Sequence, residues 1–353
     1  MSHTHTHATA AEPQLLVSTQ GSLGRIRLNR PKALNSLTLE MIRGMATALK
    51  TFAHAPAIAA VLVDGAGERG LCAGGDIRAI HDSGKRGDGI AEAFWHEEYE
   101  LNAYIAAYPK PYIAFMDGIT MGGGVGISAH GAHRLVTERT RLAMPETGIG
   151  FFPDVGATWL LPRAPGEIGT YLGLTGTPIG AADAIYAGFA DLLVPSDARA
   201  AIAGSLSTLP PGTNSDNVRD LLQSFALPTP PAPLAAHRAT LDASLHFNTM
   251  HEILAALAAN PSDFAQATAR TIGEKSPTSL ILTLHMLRLG RASTSLQECL
   301  NREFAAAAQI MKGSEFYEGV RAAIIDKDRQ PRWQPASIAE IDEPSLLHTY
   351  LGA

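Results

Sequence analysis

The sequence is poor in cysteine and in charged residues. Its 353 residues include two cysteines, Cys72 and Cys299, too few for a disulfide framework or a thiolate zinc site. This favours a reducing compartment, and we expect the cytoplasm. Charged residues make up 18%, and the net charge of −6 offers no basic surface for nucleic acid. No apolar run approaches about 18 uninterrupted residues, so we expect no membrane-spanning helix.

The first residues differ in composition from the rest. Residues 1–13 carry His3, His5 and His7 but neither arginine nor an apolar stretch, so we expect no transit or signal peptide there. Alternating histidines can bind stray metal, but we predict a disordered tail over 1–13.

Strand-like and helix-like patterns alternate over residues 14–195. Hydrophobic residues make up 46% of the chain, as in ordinary globular proteins, and its length exceeds that of one usual core. The alternation predicts an α/β core, a coil of ββα turns, and 196–353 is predicted to be a mainly helical C-terminal region. Individual patterns predict a hairpin at 15–29, strands at 58–63, 112–115 and 134–137, helices at 39–54, 89–108, 250–258, 279–289 and 295–311, and a glycine-rich loop at 83–89.

Two glycine-rich segments each follow a predicted strand, at 72–76 and at 118–124. Glycine lets a backbone N–H approach a ligand closely, and the first N–H groups of a helix are unpaired. One such N–H from each segment could hold the oxyanion formed when a carbonyl is attacked. The alternative is that both segments are only tight turns. Cys72, among apolar and glycine residues, is predicted to be buried and not a nucleophile.

The glycine run also has a rival interpretation as a dinucleotide-binding motif. Residues 124–129 fit G-x-G-x-x-A, and Glu146 lies 20 residues beyond Gly126. That acid should end the next strand, whereas Glu146 follows Pro145 in a turn. We therefore disfavour a dinucleotide site.

Two carboxylates, Glu146 and Asp154, lie eight residues apart in an apolar segment. Partial desolvation should raise their pKa values, which suits a general base or a nucleophile. The alternative for either one is an exposed charge or a helix cap. Glu97 and Glu98, on a predicted helix with His96, carry little weight alone because most such pairs are solvated.

Several segments together resemble the crotonase (enoyl-CoA hydratase/isomerase) superfamily, and others are similar to its 3-hydroxyisobutyryl-CoA hydrolase branch. The superfamily segments are LNRPKALN at 28–35, AGGD at 73–76, GGG at 122–124 and MPE at 144–146. The hydrolase-like segments are EEY at 97–99 with Asn102, HG at 130–131, FPD at 152–154, KSPTSL at 275–280, FYEGVRA at 316–322, IDKD at 325–328 and PRW at 331–333.

This resemblance implies a spiral of ββα turns, commonly assembled as trimers, that binds an acyl-CoA. It implies an oxyanion hole from the N–H groups of Gly75 and Gly123, with Glu146 as the main catalytic carboxylate. Asp154 would lie beside it near the acyl group. The implied substrate-binding residues are Glu98 at the hydroxyacyl end and Lys32, Ala33, Ala73 and Asp76 towards the CoA.

One difference from the family's hydratase pattern distinguishes hydrolase from hydratase activity. Hydratases resemble one another in a second glutamate two residues after the glycine run, where this chain has Gly126. The resemblance therefore implies a thioester hydrolase, acting on 3-hydroxyisobutyryl-CoA in valine breakdown, with no metal or other cofactor. The alternatives are an enoyl-CoA hydratase or isomerase and a non-enzymatic CoA-binding protein. Whether Glu146 attacks the thioester or activates water stays open.

Overall fold

The strands of the computed structural model, which describes residues 12–352, form two sheets. The larger has the order β1-β2-β3-β5-β7-β9, and the smaller has the order β4-β6-β8. Only the β1–β2 pair is antiparallel. The strands are β1 (Leu15–Gln20), β2 (Leu23–Leu28), β3 (Ala60–Gly65), β4 (Gly70–Cys72), β5 (Tyr112–Met116), β6 (Ile119–Met121), β7 (His133–Val136), β8 (Arg141–Ala143) and β9 (Leu192–Leu193).

Helices fill the connections between strands and the whole chain after β9. They are α1 (Leu39–His54), α2 (Ile77–Arg86), α3 (Ile90–Ala106), α4 (Gly123–Ala129), α5 (Ala157–Leu160), α6 (Ile168–Thr175), α7 (Ala181–Tyr186), α8 (Arg199–Leu206), α9 (Ser215–Gln223), α10 (Arg238–Leu245), α11 (Met250–Ala259), α12 (Asp263–Gly273), α13 (Pro277–Ala292), α14 (Leu296–Ile310), α15 (Glu315–Val320) and α16 (Glu343–Leu351). Shorter helical turns lie at Pro31–Ala33, Glu146–Ile149, Leu161–Arg163, Ser196–Ala198, Pro233–His237, Arg321–Ile325 and Ile338–Glu340.

The predicted coil of ββα turns is confirmed. Each of β3, β5 and β7 in the larger sheet is followed by a short strand of the smaller sheet, and helices follow β4 and β6. Every residue of β3 and β5 is buried, as expected for parallel strands that are covered on both faces. This winding brings the loops after β4 and β6 side by side.

Helix α1 forms where its sequence pattern predicts it. The Thr38 hydroxyl accepts a hydrogen bond from the N–H of Met41 at 3.2 Å and caps its first turn. Met41, Met45, Leu49 and Phe52 turn a single face into the core.

The predicted strand 58–63 is shifted, because β3 continues through Asp64 and Gly65. Asp64 is fully buried, and a buried charge in a strand requires partners. Its carboxylate accepts hydrogen bonds from the Arg27 guanidinium at 3.0 and 3.1 Å and from Arg25. The run of hydrophobic residues ends before Asp64, whereas the strand continues through it.

The predicted loop at 83–89 was wrong in its first half. Helix α2 continues through Arg86, since the Asp76 carboxylate caps its start and Gly87 ends it at a φ of 66°. Asp88 then accepts hydrogen bonds from the Ser83 hydroxyl and from the N–H of Ile90, so a short turn joins α2 to α3.

The chain after β9 is helical, and parts of it cover the larger sheet. Ile202 and Leu206 of α8 pack with Val218 and Leu222 of α9 against buried strand residues such as Phe115. The boundary at 195 between a core and a C-terminal region stays a prediction. Helices on the C-terminal side of this boundary pack against the larger sheet and complete its core. Residues 1–11 of the predicted tail lie outside the described residues. Within 12–352 no helix is long and apolar enough to cross a membrane.

Helix α13 allows a matched test of how the hydrophobic core is packed, because it carries one buried and one exposed leucine. Leu284 is fully buried and Leu289, on the same helix, is 40% exposed. We predict that Leu284→Ala lowers the unfolding free energy by about 2–5 kcal/mol, because it opens a cavity in the core. Leu289→Ala should change it by less than about 0.5 kcal/mol. Urea titrations measure both values, and similar losses would contradict the packing described.

Candidate active site

A cavity of about 160 Å³ opens where the loops after β4 and β6 meet. This volume is room for a short acyl group. Six of the nine residues predicted for the site line it: Ala73, Gly75, Glu98, Gly123, Glu146 and Asp154. The fold therefore brings together residues that are up to 81 positions apart in sequence.

The other three predicted residues, Lys32, Ala33 and Asp76, are not part of the cavity lining. Lys32 and Ala33 lie in an exposed turn, and the next carbonyl, of Leu34, accepts a hydrogen bond from the N–H of Ala73 at 3.0 Å. The Asp76 carboxylate accepts a hydrogen bond from Arg30 at 2.9 Å and one from the N–H at the start of α2. This structural role accounts for Asp76, and substrate binding by the three residues stays a prediction.

Two backbone N–H groups face the cavity from neighbouring loops, those of Gly75 and Gly123. A Cβ built on Gly123 would lie 3.4 Å from the Gly75 nitrogen, so the two peptide groups are close neighbours. Neither N–H has a hydrogen-bond acceptor among residues 12–352. A side chain at Gly123 would run into the Glu98 carboxylate and lie 3.2 Å from Leu37. Two unengaged donors on one wall are available to bind a ligand oxygen, and the predicted oxyanion hole requires such donors.

Glu146 lies in the turn Glu146–Ile149, which Gly150 closes with a φ of 71°, and its Oε1 would lie 2.7 Å from a Cβ built on Gly122. Its Oε2 is buried without a hydrogen-bond partner in the described part of the chain. Burial raises the pKa of Glu146 well above its usual value, and the charges of Asp154 and Glu98 raise it further. The carboxyl group is therefore strongly basic when it ionises.

Asp154 is held by a hydrogen bond that the Tyr99 hydroxyl donates to its Oδ2 at 2.7 Å. Burial raises the pKa of Asp154 to about 7, although the bond from Tyr99 acts in the opposite direction. Tyr99 belongs to the segment EEY at 97–99, which is similar to the hydrolase branch, but no role was predicted for it from the sequence.

Glu98 and its neighbour Glu97 have opposite surroundings on α3. Glu98 is buried, and its Oε1 has no partner within residues 12–352. Burial and then the charge of Asp154 raise the pKa of Glu98 well above its usual value. Glu97 instead faces outward and accepts hydrogen bonds from Arg43 at 2.6 and 2.7 Å, which lower its pKa. Only the tertiary fold tells the two apart.

Sequence reasoning missed Glu303, a fully buried carboxylate of α14. Glu303 accepts hydrogen bonds from the N–H groups of Gly156 at 2.7 Å and Thr158 at 3.1 Å, and from the Thr158 hydroxyl. Burial raises its pKa to about 8 against these bonds. The turn after Asp154 is thus anchored from the helical region. A signal was present, because Glu303 shares the apolar face of α14 with Leu300 and Ala307.

Tight packing surrounds Gly126, the position that the rival motifs need. A Cβ there would lie 2.7 Å from the Val155 Cβ and 2.9 Å from the Asn102 Nδ2. No space remains at this point for a second carboxylate or for a dinucleotide. Cys72 is fully buried, and burial raises the pKa of its thiol to about 12, so it is a neutral core residue as predicted.

Comparison with known proteins finds relatives along nearly the whole chain. The mitochondrial 3-hydroxyisobutyryl-CoA hydrolase of Xenopus laevis is 43% identical over 340 residues, which is 95% of this chain and 88% of that protein. The enzyme of the same name from Homo sapiens is 41% identical over 96% of this chain and 89% of its own length.

Solved structures of similar fold carry other names. A carnitinyl-CoA dehydratase from Mycobacterium thermoresistibile has a TM-score of 0.89 at 43% identity and covers 96% of both chains. An enoyl-CoA hydratase from Rhodobacter sphaeroides 2.4.1 has a TM-score of 0.86 at 39% identity over 96% of this chain and 97% of its own. The family description enoyl-CoA hydratase/isomerase matches residues 23–350. With its fold and cavity, the chain belongs to the enoyl-CoA hydratase/isomerase family, that is, to the crotonase superfamily.

Proposed function

We propose that this chain is a thioester hydrolase that cleaves 3-hydroxyisobutyryl-CoA to 3-hydroxyisobutyrate and CoA. The observation that carries the proposal is the pairing of two unengaged N–H groups with one strongly basic carboxylate across a small cavity. The relatives named 3-hydroxyisobutyryl-CoA hydrolase support it, since they match this chain over nearly its whole length.

The N–H groups of Gly75 and Gly123 would bind the thioester carbonyl oxygen. As the carbonyl carbon becomes tetrahedral, negative charge builds on that oxygen, and both donors belong to residues that line the cavity. A donor of this kind contributes about 3–4 kcal/mol to transition-state stabilisation. Because both donors are backbone groups, their positions depend on the two loops and not on side-chain rotamers.

Glu146 would act by one of two routes. In the first, its carboxylate attacks the carbonyl carbon, CoA leaves as the thiolate and takes a proton, and water hydrolyses the resulting anhydride. In the second, Glu146 accepts a proton from the water that attacks the carbonyl directly. Both routes need ionised Glu146 and only one such carboxylate.

Glu98 and Asp154 would act on the hydroxyacyl end. Glu98 presents an unpartnered carboxyl oxygen to the cavity, which suits a hydrogen bond from the substrate's 3-hydroxyl. Asp154, fixed by Tyr99, lies near enough to Glu146 for its charge to raise the pKa of that group. We assign Asp154 the role of orienting Glu146 or relaying a proton.

An enoyl-CoA hydratase on the same scaffold is the second candidate, favoured by the names of the two solved structures. Hydration adds water across a carbon–carbon double bond, and the two-glutamate pattern holds that water between two acids. Here the second position is Gly126, which is closed by Val155 and Asn102. Hydrolysis is therefore the better fit to these residues.

Assembly and compartment stay predictions. A trimer is the expectation from the resemblance, and the cytoplasm is the expectation from the low cysteine content. The curated relatives are named mitochondrial.

Glu146→Gln tests the proposed catalytic carboxylate. We predict at least a 10²-fold lower kcat for thiol release with CoA affinity nearly unchanged, because the amide keeps the shape but is not basic. Glu97→Gln, an outward glutamate next to the site, is the matched control and should retain full activity. Near-normal turnover in the first variant would remove Glu146 from the mechanism.

The pH dependence of kcat/KM tests the electrostatics of the cavity. Since burial raises the pKa of Glu146 well above its usual value, kcat/KM should rise with pH through a midpoint well above the ordinary glutamate range. Asp154→Asn removes a negative charge beside Glu146, which lowers the Glu146 pKa, so the midpoint should move to lower pH. Asp216→Asn, an exposed substitution, should leave it in place. A midpoint near pH 4.5 in the unsubstituted protein would refute this prediction.

Substrate choice separates the two candidate activities. We predict that the purified protein releases thiol from 3-hydroxyisobutyryl-CoA and barely bleaches the enoyl absorbance of crotonyl-CoA, because only one acid is placed to handle water. A second positioned acid is worth about 10²–10⁴-fold in rate. Rapid hydration without thiol release would overturn the hydrolase proposal.

A further inference from the structure

The catalytic cavity has an open end and a closed end. Its partly exposed lining residues, among them Ala73, Ile77 and Ile149, mark the mouth. Trp95 and Phe151, which also line the cavity, are each 3% exposed and mark its closed end. CoA is too large for the cavity and must remain at the mouth. The acyl group therefore points towards the closed end.

Aromatic rings build that closed end. The Trp95 ring stacks on Phe151 with centroids 5.3 Å apart and an interplanar angle of 7°. The edge of Phe316 packs against the pair, with centroids 6.2 Å from Trp95 and 5.8 Å from Phe151. Such a stack is rigid, because each ring is fixed by its neighbours.

A second cavity of about 430 Å³ lies on the other side of Trp95. Helices α2, α3 and α15 each contribute residues to both cavities. Helix α2 gives Ile80 to the first and Gly84 to the second, and α15 gives Phe316 and then Tyr317. Among residues 12–352, Trp95 of α3 is the residue that lines both. Trp95 therefore forms a shared wall between the small catalytic cavity and a larger space lined in part by apolar residues such as Phe304 and Met311.

We propose that Trp95 is the residue that limits the length of the acyl chain this enzyme accepts, by closing the catalytic cavity off from the second cavity. The inference rests on the proposed function, since it concerns the acyl group of the same thioester. It narrows the substrate class to thioesters with short acyl groups. Removing the indole would join the two cavities and admit straight chains of medium length.

Chain-length profiles test the proposal. Thiol release is measured with 3-hydroxyacyl-CoA thioesters of four, eight and ten carbons. The unsubstituted protein should lose activity sharply beyond four carbons. Trp95→Ala should raise the kcat/KM ratio of the eight-carbon to the four-carbon substrate at least about tenfold, because accepted methylenes of this kind are worth about 10-fold or more each. Trp95→Leu, a milder truncation of a buried ring, should shift the ratio in the same direction if Trp95→Ala does not fold.

Two further variants locate the effect. Met311→Ala enlarges the second cavity without touching the wall, so the ratio should stay unchanged. Ala308→Phe fills the second cavity and, combined with Trp95→Ala, should abolish the gain. Efficient hydrolysis of the eight-carbon substrate by the unsubstituted protein would overturn the proposal. An unchanged ratio in a folded Trp95 variant would do the same.

Calorimetric binding of non-hydrolysable thioether analogues distinguishes a failure of the Trp95 proposal from a failure of the proposed function. A protein that releases no thiol from any substrate is not the hydrolase. If it still binds the four-carbon analogue in preference to the eight-carbon one, and Trp95→Ala removes that preference, the role of the wall stands. Equal binding of both analogues before and after the substitution contradicts it.

Discussion

Burial of carboxyl groups against one another is the constraint on which the site depends. Glu98, Glu146 and Asp154 are each at most 7% exposed, and their pKa values are raised chiefly because water is excluded. Each ionisation makes the next one harder, so the three titrate as a set and not as separate acids. In such a set one carboxylate can act as a base while a neighbour still holds its proton, so the cavity combines a base with a proton donor.

This arrangement needs rigid support, which comes from outside the sheets. Val155, directly after Asp154, has a φ of 52°, which is unfavourable for a β-branched residue. The His130 ring pairs with the Val155 carbonyl at 2.8 Å, and Glu303 binds the following turn through two N–H groups. Burial lowers the pKa of His130 to about 4, so the ring is neutral there. A strained turn is thereby held in one conformation, with the Asp154 side chain aimed at the cavity.

The sequence predicted much of the fold and part of the site. Helix α1 and the hairpin β1–β2 follow from local hydrophobic periods and a cap. The strand end at Asp64 could not be predicted, because its arginine partners lie on a neighbouring strand. The glycine segments and Glu146 stand out, since their composition is unusual for their positions. The burial of Glu98 beside an outward Glu97 depends on the orientation of α3, and the contacts of Tyr99 and Glu303 join positions 55 and 147 residues apart.

Glu303 anchors the turn after Asp154 and so links two halves of the chain. We therefore expect the two halves to evolve together. A mutation at Glu303 leaves two peptide N–H groups and the Thr158 hydroxyl without acceptors in the protein interior, which no change at a single other position restores. We therefore expect Glu303 to resist substitution as long as the turn after Asp154 keeps its conformation. We expect the helical region to be inherited together with the active-site loop. Recombination between distant relatives at a junction near residue 195 would separate Glu303 from its hydrogen-bond donors in that loop.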